Sequence, residues 1–276
     1  MKRCLVILAA SVLAACSSGS GPGTVNSPAL TTFQYTTPAP ATPTQATTAM
    51  TASTDVGQVV VSASSGDTAS ESNAPELADE LGSQALGVAA MAAPRSPSAE
   101  AAKQLLLKQR SGQLTTGCYS VTGNTLTYNN CSLTSGGITI TANGTLTATT
   151  SNVTWNLTFT VSGSSSGETV NWDGVYTGNI SYTTTSGGGT ITGSALSQNS
   201  GSYSGSSGSG SGAWTVGIDF LNVTWATSCD YTGGITGGTL EIRANATGTF
   251  DIYGFKQAGI EYTWSGCDTV TVATST

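Results

Sequence analysis

The chain contains no histidine, which removes the commonest general base, the commonest metal ligand and every serine–histidine or cysteine–histidine arrangement. Catalysis would have to run through paired carboxylates or a serine–lysine couple. Glu168 with Asp173, and Glu241 with Glu261, could serve as acid and base if neighbouring strands brought their carboxyls to the separation that glycoside hydrolysis needs. Nothing around them distinguishes them from solvated charges on a polar strand face. Lys256, in Gly254-Phe255-Lys256-Gln257, reads as a turn residue rather than a buried activator. Trp155, Trp172, Trp214, Trp225 and Trp264 could stack on a sugar or line a cavity, but most share the parity of neighbouring Val, Leu, Ile or Phe and read as core. No calcium loop and no phosphate-cradling glycine motif is found. We therefore expect no catalytic residue, no cofactor and no enzymatic activity.

The N-terminus carries an address. Lys2 and Arg3 precede an apolar run, Cys4 to Ala10 and on through Val12 and Leu13, too short to span a bilayer but suited to a secretory signal. The run ends in Leu13-Ala14-Ala15-Cys16, which resembles the lipobox of bacterial lipoproteins. That resemblance covers Met1 to Ser18. It implies cleavage before Cys16, diacylglycerol on its thiol, and a membrane partner engaged through lipid. Ser17 stands where an Asp would signal inner-membrane retention, so the outer membrane is the expected location, with the domain facing the periplasm or the cell surface.

Four further cysteines, Cys118, Cys131, Cys229 and Cys267, would then sit in an oxidising compartment, where an even number suggests two disulfides. Three connectivities are possible. We favour Cys118 with Cys131 and Cys229 with Cys267, because each pair brackets one local β-segment. A zinc site would lack both a histidine and a Cys-x-x-Cys, so no metal is expected. Charge speaks to partners as well. From Cys118 onward the cations are Arg243 and Lys256, against eight carboxylates, so no basic stripe exists for nucleic acid.

The elements that would position these residues fall into four spans. Residues 1–15 are the signal, and 16–71, rich in Ser, Thr, Pro, Ala and Gly, read as a lipidated disordered tether. Residues 72–112 predict two short helices: Asn73 and Glu76 form a capping box ahead of Leu77, Leu81 and Val88, Pro94 breaks the pattern, and Pro97 restarts one bearing Ala102, Leu105, Leu106 and Gln109 on a face.

Residues 113–276 change to a period of two. Val153, Trp155, Leu157, Phe159 and Val161 alternate with Thr and Asn, and the pattern returns at Ile138–Ala142, Trp214–Phe220, Leu240–Ala244 and Ile260–Trp264. Glycine-bearing turns separate roughly nine to eleven strands. Ser200 to Gly212, nearly pure Ser and Gly, reads as a flexible loop. The expected fold is mainly β: an antiparallel barrel, half-barrel or sandwich preceded by two short helices.

Two functions fit: a lipid-anchored envelope protein with a non-catalytic structural or binding domain, or a carrier of a hydrophobic ligand in a half-barrel with a helical lid. The carrier reading is an architectural resemblance to periplasmic lipoprotein carriers. A β-solenoid adhesin fits less well, given the irregular spacing. The whole chain resembles uncharacterised β-rich lipoproteins of Gram-negative bacteria, most of all at Cys229 to Leu240 and Tyr262 to Val272.

Overall fold

The computed structural model describes residues 27–42 and 117–275, apart from short breaks at 136, 150, 166, 206–207, 230–234, 250–255 and 268. The signal, Cys16 and the expected helical segment 72–112 lie outside the described residues.

Eleven strands are present: β1 (Ala39–Pro40), β2 (Tyr119–Thr122), β3 (Thr125–Ser135), β4 (Ile138–Ala148), β5 (Asn152–Ser165), β6 (Glu168–Thr185), β7 (Gly188–Gly205), β8 (Gly208–Ala226), β9 (Ile235–Ala246), β10 (Gln257–Trp264) and β11 (Val270–Thr274). From β2 to β11 each strand pairs antiparallel with the next, and β1 closes on the far side of β11. β1 and β2 remain as edges, so the sheet is not closed. The described residues contain no helix. Such a meander follows from short connections. β2 and β3 are joined by Gly123 and Asn124 alone, with Gly123 at φ +56, the left-handed conformation that a two-residue hairpin demands.

The period-two pattern divides the sheet into two unlike faces. On the inner face Leu126, Leu146, Leu157, Tyr176, Ile191, Phe220 and Leu240 are at most 1% exposed, so this face is covered along most of its width. The other face carries cross-strand hydroxyl pairs, among them Thr125 with Thr147 at 2.8 Å, Ser132 with Thr141 at 2.9 Å and Thr239 with Thr263 at 3.2 Å. Each such pair contributes about 0.2–1 kcal/mol relative to alanines.

Strict alternation fails where the register shifts, between β3 and β4, between β7 and β8 and between β8 and β9, and bulges repair it. Asn130 and Asn222, at φ 50 and 51, are the positive-φ non-glycine residues of the described chain. Asn visits that region at less cost than most residues. The bulge beside Asn222 shifts parity on β8, so that Ile218 and Phe220 before it and Val223 after it all lie in the core.

Register decides where the tryptophans go. Trp155 pairs with Gly178, Trp172 with Gly201, Trp225 with Gly189 and Trp264 with Gly238. At Gly178 and Gly189 a side-chain Cβ would fall within 3.0 Å of the facing indole. Glycine there lets the ring lie flat on the neighbouring strand, the cross-strand compensation that sheets use to hold glycines. Trp155 and Trp264 are buried, while Trp172, Trp214 and Trp225 are partly buried against core clusters.

Two expectations need correction here. Of the expected flexible loop, Ser200 to Gly205 and Gly208 to Gly212 are strand: they belong to the β7–β8 hairpin, with Ser200 opposite Ala213, Ser202 opposite Ser211 and Gly205 opposite Gly208. Backbone hydrogen bonds need no side-chain pattern, and Trp172 sits on the ladder opposite Gly201, so Ser/Gly composition does not unravel it. Likewise, residues 27–42 fall within the span expected to be tether, yet they are held to the sheet, through β1 and through side chains described below.

Cys118 and Cys131 are disulfide-bonded with Cα atoms 4.9 Å apart, and Cys229 and Cys267 with Cα atoms 5.8 Å apart. The first anchors the chain entering β2 to β3. The second ties the β8–β9 connection to the β10–β11 connection. With separations of 13 and 38 residues, loop-closure entropy assigns them about 3 and about 4 kcal/mol.

Candidate functional site

The charged residues of the last strands assemble on the polar face. Asp219 on β8 stands opposite Glu241 on β9, which stands opposite Glu261 on β10, so three carboxylates form one row across three strands. Like charges directly opposite one another repel. Arg243, two residues along β9, offsets this: its Nη2 donates to Asp219, and its Nε lies 3.1 Å from Glu241 Oε2 as an ion pair without hydrogen-bond alignment. The nearby Asp219 and Glu241 charges hold the guanidinium in its cationic form against its partial burial.

A segment from the N-terminal side covers this row. Tyr35 donates its hydroxyl to Glu241 Oε1 at 2.6 Å. Burial first, and then the Glu241 bond and charge, push the Tyr35 phenol well above its ordinary range, so it remains a donor. Arg243 is flanked in register by Gly217 on β8 and Gly259 on β10. A Cβ at Gly217 would collide with Leu30, and one at Gly259 with Phe33 and the Tyr35 hydroxyl. The two glycines are thus notches that seat the segment. Polar contacts extend the seat: Asn245 Nδ2 donates to Thr31 Oγ1 at 2.7 Å and to the Ala29 carbonyl, Thr215 Oγ1 to the Pro28 carbonyl, and Gln198 Nε2 to Ser27 Oγ at 2.9 Å.

The row brings Glu241 and Glu261 together, as their pairing in sequence suggested, but Glu241 is engaged by Tyr35 and Arg243. Glu168 and Asp173 are not brought together: they lie five residues apart on β6, opposite Ser165 and Thr160, roughly 17 Å along the strand. Burial raises the Asp173 carboxyl above its ordinary range. Lys256 donates to the Gly248 carbonyl at 2.9 Å and so braces the β9–β10 connection. All five tryptophans belong to the apolar face, which leaves none to build a sugar platform on the polar one.

Sequence reasoning missed the seat for Leu30–Tyr35. Its signal was present as two glycines at polar-face positions of otherwise regular strands, and as Leu30, Phe33 and Tyr35 within a Ser/Thr/Pro stretch. No group of three or more ligating side chains able to hold a metal occurs among the described residues. Comparison with protein-family models, with curated proteins and with solved structures found no match.

Proposed function

We propose that the chain is a lipid-anchored envelope protein, lipidated on Cys16, whose half-barrel β domain is a non-catalytic structural or binding module. The observation that carries this reading is the fate of the charged side chains. Asp219, Glu241 and Arg243 are bonded to one another or to Tyr35, and Lys256 to a backbone carbonyl, so these four charged groups are engaged in holding the fold. Two disulfides support an oxidising compartment, in keeping with export. The polar outer face argues for a domain that stands in water beside the membrane rather than inside it.

The test is complementation of a strain lacking the gene, scored by envelope sensitivity to bile salts. Glu241→Gln with Glu261→Gln should restore resistance, and Cys16→Ser should not. Failure of the folded double carboxamide variant would point to chemistry at the carboxylate row and defeat the reading.

A second reading, a carrier of a hydrophobic ligand, draws support from one further observation. Inside the apolar face, the Trp155 indole nitrogen and the Tyr176 hydroxyl are buried without hydrogen-bond partners. A guest bearing an acceptor would satisfy both.

A further inference from the structure

The chain from Ser27 to Ala41 is fixed to the sheet at both ends and between. Gln198 on β7 donates to Ser27 Oγ at 2.9 Å, Thr215 on β8 to the Pro28 carbonyl, and Asn245 on β9 to Thr31 Oγ1 at 2.7 Å. Phe33 and Tyr35 lie over Gly259 on β10. Tyr35 then bridges to Ser275, the Thr36 amide donates to the Thr274 carbonyl at 3.0 Å, and the Ala41 amide to the Val270 carbonyl at 3.0 Å. This strap crosses β7 to β11. Thr215 and Asn245 are 1% and 4% exposed although they stand on the polar face, so the strap is a built layer of the domain rather than a chain end resting on it.

Where the strap begins decides how far the domain can stand from a membrane. Eleven peptide links separate Cys16 from Ser27, while about a hundred separate it from Cys118. At roughly 3.3–3.6 Å per residue the first path spans at most about 40 Å, against more than about 330 Å for the second. Both ends of 43–116 return to the same sheet, so that stretch adds nothing to the reach while the strap is docked. We infer that the strap is a short leash: with Cys16 acylated, it holds the outer face of β7 and β8, at Gln198 and Thr215, within about 40 Å of the lipid headgroups. The membrane surface is thus the partner nearest to this face. Neither β6 nor β7 carries a Lys or Arg, and Asp173 is the ionisable group on their outer faces, so no basic patch draws them onto anionic lipid and the leash sets the distance. This inference rests on the lipidation of Cys16 and deepens it.

The test places the full lipidated chain in a supported phosphatidylethanolamine/phosphatidylglycerol bilayer and measures the gap between headgroups and protein layer by neutron reflectometry. Two variants each receive a Gly/Ser spacer of about twenty residues, one between Gly23 and Thr24, the other between Ser64 and Ser65. The expected gap in the native chain is at most about 40 Å. The first spacer lengthens the leash about three-fold and should widen the gap by about 10–15 Å, as coil dimensions scale with the square root of length. The second should leave it unchanged. Equal widening by both spacers, or a native gap well beyond about 40 Å, would show the strap undocked at the membrane and overturn the leash while leaving lipidation intact. A chain that does not enter the bilayer and whose Cys16 carries no acyl mass would remove lipidation, and the leash with it.

Discussion

Gly178→Ala tests the register of the core through a single methyl group. A Cβ at this position would lie within 3.0 Å of three atoms of the Trp155 indole, closer than real Cβ atoms come. The ring has little freedom to yield, since Trp155 is 3% exposed and packs on Tyr176. Overpacking of this kind costs about 1–3 kcal/mol, against which alanine recovers about 0.4–1 kcal/mol by restricting the unfolded chain. A net loss of about 1–2 kcal/mol follows. For a domain of this size that is a fall of about 2–8 °C in melting temperature, measurable by calorimetry and by urea titration under oxidising conditions.

Gly187→Ala is the matched control. It sits in a turn, with open space where its Cβ would go, and should be neutral or slightly stabilising. Trp155→Leu supplies the second leg of a double-mutant cycle, because in its background Gly178→Ala should cost almost nothing. If Gly178→Ala falls within about 0.5 kcal/mol of Gly187→Ala, or keeps its full cost when Trp155 is leucine, the Trp-on-Gly register is wrong.

Cys16→Ser should release the protein from membranes, and retention after a salt wash would contradict lipid anchoring. Replacing Cys229 and Cys267 together by serine should lower stability by about 4 kcal/mol, and the Cys118/Cys131 pair by about 3 kcal/mol; non-reducing peptide mapping that finds free thiols would remove the basis for both figures. Tyr35→Phe should cost about 1 kcal/mol at pH 7, the contact being only partly buried. Because the folded phenol titrates above its unfolded value of 10.0, the bond stabilises fully below pH 10 and is lost as pH rises past it. The stability difference between wild type and Tyr35→Phe should therefore narrow above pH 10, and a gap that widens there would refute the Tyr35–Glu241 contact.

Parity, composition and cysteine spacing were enough to read the antiparallel sheet, its apolar and polar faces and the local disulfide pairs, because each depends on neighbours within one strand or one hairpin. The bulge at Asn222 already strains that reading, since it reverses parity without any break in the run of apolar residues from Trp214 to Trp225. Register goes further beyond reach. Nothing in the order of residues says that Trp155 will face Gly178 rather than Tyr176, yet that choice decides which glycines are spacers and which donors end up buried and unpaired. The Ser/Gly hairpin and the segment from Ser27 to Tyr35 share one difficulty: their order comes from partners far along the chain. Tyr35 and Glu241 are 206 residues apart, and low-complexity sequence becomes ordered only where a preformed surface, here the notches at Gly217 and Gly259, is already shaped to receive it.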